Sequence, residues 1–275
     1  MKEFGFVRHG HKLGPEEEGR SLEESGLTLE QQRKWKEAVT RLGIENNPQM
    51  GYENLPLIEQ MAKGMYEKLP ERALVIFTAT DYPRAKLTAD LISTELTRLS
   101  VGGHGKEIKV AFLWEHPDEK VKADSMSRIV DMREEMAANQ RLLGEVQKRD
   151  YPDDLDFKVY LTRGGDKAYA NENEALRRAV NLDLESEDSQ YRKRASSFKR
   201  QLQHIETTFD DHNEPVFFYA VGHHPNLIAM DVAINGRTHY ERSDEIPRPL
   251  TLWKVDKEKI EKFLEQDKEE QLEQQ

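Results

Sequence analysis

The chain has 275 residues, a net charge of -11 and no cysteine. An acidic surface argues against general binding to nucleic acid or anionic membranes, which are polyanions, and a cysteine-free chain has no disulfide, thiolate nucleophile or cysteine-ligated zinc. The first ten residues lack the apolar stretch of a signal peptide and no run approaches the ~20 apolar residues that span a bilayer, so the expectation is a soluble cytoplasmic protein.

Residues 4–7, FGFV, are short and apolar and read as a buried strand. Residues 11–26 are polar and hold Gly14, Pro15, Gly19 and Gly26, which predicts a loop. Thr28-Leu29-Glu30-Gln31 has the form of a capping box, in which the threonine and glutamine side chains satisfy each other's main-chain N–H. The helix it opens should end near Leu42, with Gly43 just past it. Ile58, Met61, Ala62, Met65 and Leu69 recur at helical spacing ahead of Pro70. Residues 73–77, ALVIF, form the continuous apolar run of a strand buried on both faces. Pro83 is placed to start the next helix, which Leu87, Leu91, Ile92 and Leu96 continue. Ile108, Val110, Phe112 and Trp114 alternate, which predicts a third strand running through 114.

Residues 116–210 are rich in charge. Helices are expected near 125–148 and 189–210, and the polar stretch 163–188 reads as a surface excursion or a lid. Residues 216–221, VFFYAV, give the strongest strand pattern of the chain, running into Gly222-His223-His224-Pro225 and a helix over 227–234. Asn226 is a candidate cap of that helix. Residues 250–255 predict a last strand, and 256–275 a charged helical tail. Strands alternating with helices predict an α/β fold: a three-layer sandwich with a mostly parallel central sheet and helices on both faces. We expect one domain over 1–275, carrying a helical insertion at about 116–210.

Three strand ends carry costly polar groups: Arg8 and His9 after the first, Arg84 in the helix turn after the second, and His223 after the strand at 216–221. In open α/β sheets, ligands bind beyond the carboxyl ends of the strands. Arginine presents a planar fork that matches a pair of phosphate oxygens, and a helix N-terminus adds free N–H groups. The group suits a phosphoryl dianion.

These residues stand in segments that resemble a known family. "VRHG" at 7–10, "TATDYPRAKLTA" at 78–89 and "VGHHP" at 221–225 are similar to the motifs of histidine phosphatases of the phosphoglycerate-mutase-like superfamily. The second segment resembles S-x-x-x-R-A-x-x-T-A, with Thr80 in first place and Arg84, Ala85, Thr88 and Ala89 following. The resemblance implies that His9 is a nucleophile that becomes phosphorylated, and that Arg8, Arg84 and His223 hold the phosphoryl group. "LWE" at 113–115 resembles the family's L-x-E motif and makes Glu115 the candidate general acid. The helix-start pattern L-T-x-x-G-x-x-Q is half kept: Leu27 and Thr28 match, but Gln31 and Lys34 replace glycine and glutamine. His224 follows the last motif's histidine, where many relatives have glycine and acid phosphatases have aspartate, which leaves the acid-phosphatase branch unsupported.

The expected activity is a metal-independent phosphatase, needing no metal or other cofactor and acting on a small phosphorylated substrate or a phosphoprotein. His11, Lys12 and His224 are candidates for the pocket rim, with a turn or a solvated surface as their plainer roles. The divergent insertion disfavours a small-substrate mutase. Two alternatives stand beside this reading: a metal-dependent hydrolase using His9, His11 and His223, and a non-catalytic phospholigand-binding or regulatory protein on the same fold. The oligomeric state is open.

Overall fold

The computed structural model describes residues 3–11, 21–102, 105–115, 172–195 and 213–256, with single positions at 141, 144–145, 148–149, 153, 198, 202, 205, 258–259 and 261–262. These fall into two compact units. The first holds the described residues up to 115, 205–222 and 249–256, and the second holds those from 141 to 202, 223–248 and 258–262.

The first unit contains the whole sheet. Its strands are β1 (Glu3–Arg8), β2 (Arg72–Ala79), β3 (Glu107–Phe112), β4 (Val216–Gly222) and β5 (Leu252–Asp256). They lie in the order β3-β2-β4-β1-β5. Neighbours among the first four are parallel, and β5 runs antiparallel to β1. The expected α/β class therefore holds, with a mostly parallel central sheet and helices around it. β4 inserts between β1 and β2, so the three strands that carry the motifs are adjacent, and their carboxyl ends share one edge.

Among the described residues, three helices belong to this unit: α1 (Leu29–Leu42), α2 (Asn54–Lys68) and α3 (Pro83–Val101). Thr28 caps α1 as its sequence predicts: its hydroxyl accepts from the Gln31 N–H at 3.3 Å, and Gln31 Oε1 accepts from the Thr28 N–H at 3.1 Å. Gly43 ends the helix at φ 66°, a left-handed conformation that costs glycine nothing. Pro83 sits in the first turn of α3, where its missing N–H is no loss. Trp35, Ala38, Ile58, Ala62, Met65, Leu87 and Leu96 from these helices join Val7, Val75, Phe77, Tyr219 and Val221 of the sheet in one core. The other pleat of the strands is also buried: Phe4, Phe6, Ile76 and Phe218 are each 2% exposed or less. Sheets buried on both faces lose their alternation and read as continuous apolar runs, as 73–77 and 216–221 do.

Lys34, the residue that departs from the helix-start pattern, has a structural use. Its ammonium lies 2.6 Å from Glu59 of α2 and 3.0 Å from Glu95 of α3, tying three helices together. Arg98 clasps the same Glu95 through two nitrogens at 2.9 and 2.5 Å. Burial pushes the Glu95 carboxyl up, but the hydrogen bonds from Arg98 and Lys34 outweigh it and hold the group below its ordinary 4.5. A carboxyl lowered in the folded state contributes stability that is present above its unfolded value and is lost as pH falls through the folded one. Glu95→Gln should therefore cost about 1–3 kcal/mol at pH 7, with the gap from wild type closing below pH 4.5. Urea unfolding of both proteins at pH 7 and at acidic pH measures this directly.

The second unit contains α4 (Glu172–Glu185), helical residues 190–195 and α5 (His224–Asn235). Leu176, Ala179 and Val180 of α4 form a core with Ile228 and Ala229 of α5 and with Tyr240. The Asn181 amide brackets the Tyr240 main chain, accepting from its N–H and donating to its carbonyl, both at 2.8 Å. The Tyr240 hydroxyl donates to Asp231 at 2.9 Å.

Three sequence expectations change. The stretch 163–188 contains α4: Leu176, Ala179, Val180 and Leu184 are buried at helical spacing that the surrounding charge obscures. β3 stops at Phe112, and Leu113–Glu115 is a 3-10 turn that takes Leu113 into the core. In a continued strand the alternation would have buried Trp114 instead. Asn226 lies within the first turn of α5, donating its N–H to the His223 carbonyl at 3.1 Å, and His223 holds the cap position. Pro225 starts this helix earlier than its apolar residues suggest. Most of the expected helix at 125–148 and most of 116–171 lie outside the described residues.

Candidate functional site

β1 ends in Arg8, and His9 follows on the next step of the pleat. Both are buried, at 5% and 3% exposed. Neighbouring strands pin the main chain here. Arg8 N donates to Thr251 O and Leu250 N to Arg8 O, both at 3.0 Å, and His9 N donates to Gly222 O at 2.9 Å. Leu250 makes its bond from φ 57°, a conformation that a leucine adopts only when its surroundings impose it.

The His9 ring is fixed at both nitrogens. Nδ1 lies 2.6 Å from the Gly10 carbonyl oxygen, and Nε2 lies 3.2 Å from Arg84 Nε. A carbonyl only accepts and a guanidinium only donates. The proton of the neutral ring therefore belongs on Nδ1 and the lone pair on Nε2. Nε2, which carries the lone pair, faces Arg84, 75 residues away in the chain.

Arg84 stands in the first turn of α3, with its guanidinium carbon 5.6 Å from the centre of the Tyr82 ring. Thr88, one turn on, locks this helix to the residue after His9. Its hydroxyl accepts from Gly10 N at 3.1 Å and donates to Arg84 O at 2.7 Å. Gly10 admits no side chain: a Cβ there would lie 2.6 Å from Met50 Sδ and 2.9 Å from Asn54 Cγ. Asn54, wholly buried at the start of α2, clamps the next residue. Its Oδ1 accepts from His11 N at 2.7 Å and its Nδ2 donates to His11 O at 3.2 Å. Thr88 stood in the sequence motif without a role. Nothing local to Asn54 marked it, because its partner is 43 residues away.

The structure thus brings His9 and Arg84 together, with Arg8 next to His9 in the strand. His223 is the residue directly after Gly222, and it is buried. His11 is half-buried, with its main chain held by Asn54 and Gly51. His224 opens α5. Lys12 lies outside the described residues. Glu115 is exposed at the end of its 3-10 turn, beyond β3 on the same sheet edge. Its side chain is not among the groups that contact His9 or Arg84.

Electrostatically the spot is a cationic point in an acidic protein. A metal reading fits it poorly, because the cationic guanidinium of Arg84 stands 3.2 Å from His9 Nε2, where a metal ion would have to bind. Among the described residues no cluster of three or more histidine, aspartate or glutamate side chains is arranged to hold a metal ion. No described helix is long and apolar enough to cross a membrane. No protein-family model matches the chain, and no curated protein matches it significantly.

Proposed function

We propose that the protein is a metal-independent phosphatase that hydrolyses phosphomonoesters or a phosphoprotein through a phosphohistidine on His9. The observation that carries this reading is the doubly held His9 ring, with Nδ1 on Gly10 O at 2.6 Å and Nε2 facing Arg84 Nε at 3.2 Å. A ring held in this way has one tautomer and one reactive lone pair, beside a cation suited to the group that lone pair would attack.

Arg84 donates its Nε–H to that lone pair. A phosphoryl dianion is the stronger acceptor, so on binding the guanidinium turns to the phosphoryl oxygens and uncovers Nε2. Nε2 attacks phosphorus in line with the ester oxygen. The P–N bond forms as the P–O bond breaks, and the leaving oxygen takes a proton from a general acid. Water then attacks phosphorus, giving its proton to the same group, and phosphate leaves with the His9 lone pair restored. Arg8, Arg84 and His223 serve the equatorial oxygens, where charge is spread in the transition state. The His223 role comes from the resemblance and from its place after Gly222.

Glu115 is our general acid. The test is a panel of aryl, alkyl, sugar and protein phosphates assayed in chelator, on wild type and Glu115→Gln. Wild type should release phosphate from part of the panel, and release from none would sink the reading. Glu115→Gln should slow alkyl esters by on the order of 10²-fold and aryl esters, whose leaving oxygen needs no proton, far less. An equal loss on both removes Glu115 from this role. The same reading places the enzyme in the cytoplasm, with neither nucleic acid nor membrane as partner.

A further inference from the structure

We propose that Asn54 is a positioning residue for His9: by accepting the His11 N–H, it fixes and polarises the peptide whose carbonyl oxygen holds the His9 Nδ1 proton. The proposal rests on the reading of His9 as the nucleophile and adds the residue that sets its ring from behind.

The link is a single peptide unit. The Gly10 carbonyl and the His11 N–H belong to the same planar amide, and in a trans peptide they point in opposite directions. The carbonyl oxygen lies 2.6 Å from His9 Nδ1, and the N–H on the far side donates to Asn54 Oδ1 at 2.7 Å. The plane is therefore gripped at both edges, and releasing the Asn54 edge frees the oxygen that orients the ring. An acceptor on the N–H also pushes electron density onto the carbonyl of the same amide, the mutual strengthening of hydrogen bonds in a chain. A stronger acceptor at Nδ1 leaves the other ring nitrogen more basic. That nitrogen is Nε2, which faces Arg84 Nε at 3.2 Å.

The second observation concerns the amide itself. Asn54 is wholly buried, a cost that its hydrogen bonds must offset. Its partners force its orientation: Oδ1 has to face the His11 N–H, and Nδ2 has to face two carbonyls, His11 O at 3.2 Å and Gly51 O at 2.8 Å. The two ends of the amide therefore do different things. Nδ2 serves carbonyls of other peptide units and stitches the start of α2 to the chain after β1. Oδ1 alone leads to the His9 ring. Asn181 supplies the comparison. It is also buried, and it brackets the main chain of Tyr240 in the same way, with both bonds at 2.8 Å. None of the groups it bonds is assigned to the reaction.

The test compares wild type, Asn54→Ala, Asn54→Asp and Asn181→Ala. One readout is the His9 Nδ1 proton, followed as a downfield NMR resonance in protein carrying labelled histidine and assigned by its loss in His9→Ala. The other is kcat and KM on p-nitrophenyl phosphate. Asn54→Ala should move the resonance upfield and lower kcat by about 10–100-fold, the range for losing a group that orients a reactive imidazole, with KM within about threefold of wild type. Asn54→Asp keeps an oxygen for the His11 N–H and gives up the bonds from Nδ2. It should melt below wild type, yet keep the downfield proton and restore kcat to within about threefold. Asn181→Ala should melt lower with both readouts as in wild type. An unmoved Nδ1 proton in Asn54→Ala overturns the proposal, as does a moved proton with kcat unchanged in an enzyme that turns over. Losses in Asn54→Asp or Asn181→Ala equal to those in Asn54→Ala also overturn it, since they would track loosened packing alone. If Asn54→Ala does not fold, Asn54→Asp decides: a kept proton supports the proposal and a lost one overturns it. A wild type without turnover, whose Nδ1 proton moves in Asn54→Ala alone, leaves the positioning role standing without the phosphatase. A wild type that turns over while Asn54→Ala keeps both proton and rate leaves the phosphatase standing without the positioning role.

Discussion

Replacing His9 by alanine should lower phosphate release by on the order of 10³-fold or more, with the fold intact. The two nitrogens of His9 are assigned opposite duties by what they face: a carbonyl acceptor at Nδ1 and a guanidinium donor at Nε2. Under the proposed mechanism alanine removes the atom that would form the covalent bond, and the remaining cations would bind phosphate but not split the displacement into two steps. Binding should therefore survive better than turnover. His9→Ala should still bind inorganic phosphate, within roughly tenfold of wild type, because its contribution to the ground state is one hydrogen bond at most. Steady-state kinetics and calorimetry on the same preparation check both halves. Equal turnover by wild type and His9→Ala would mean that the nucleophile lies elsewhere.

The second large effect is expected at Arg84. Arg84→Ala should lower kcat/KM by about 10²–10³-fold, the size found when a single donor to developing charge is removed. Arg84→Lys should recover only part of this, because an ammonium replaces charge but not the two-pronged fork. In the proposed reaction the side chain would have two duties, since the Nε that lies 3.2 Å from His9 Nε2 would turn to the phosphoryl oxygens. Alanine removes both, and it leaves α3 anchored, since Thr88 bonds to the main-chain carbonyl of residue 84 and not to its side chain. Circular dichroism should show no change. An Arg84→Ala enzyme within threefold of wild type on p-nitrophenyl phosphate would contradict the assignment.

Features whose cause is local were readable in the sequence. Thr28 and Gln31 announce a helix start because capping needs only residues three apart. Pro83 and Gly43 mark helix ends for the same reason. The runs at 73–77 and 216–221 announce strands buried on both faces. The association of His9 with Arg84 was readable only through motif order, since the ladder that joins them is formed by β4, more than two hundred residues after β1. What escaped notice depends on partners brought together by folding. Asn54 clamps His11, and Thr88 ties α3 to Gly10, through bonds that no spacing rule encodes. α4 was hidden by its own charge: Glu172, Glu174, Arg177 and Arg178 dominate the composition, while Leu176, Ala179, Val180 and Leu184 carry the period that decides the helix. At Trp114 the alternation was real, but the core took Leu113 instead.

The most direct test of a nucleophilic His9 Nε2 is to catch the bond it forms. The enzyme is mixed with an isotopically labelled phosphomonoester that it turns over, quenched in base within one turnover, digested, and mapped by mass spectrometry. The account predicts phosphate on the peptide containing His9, stable in base, labile in acid and absent from His9→Ala. Turnover with no label on any histidine, or with the label on a residue other than His9, would contradict it.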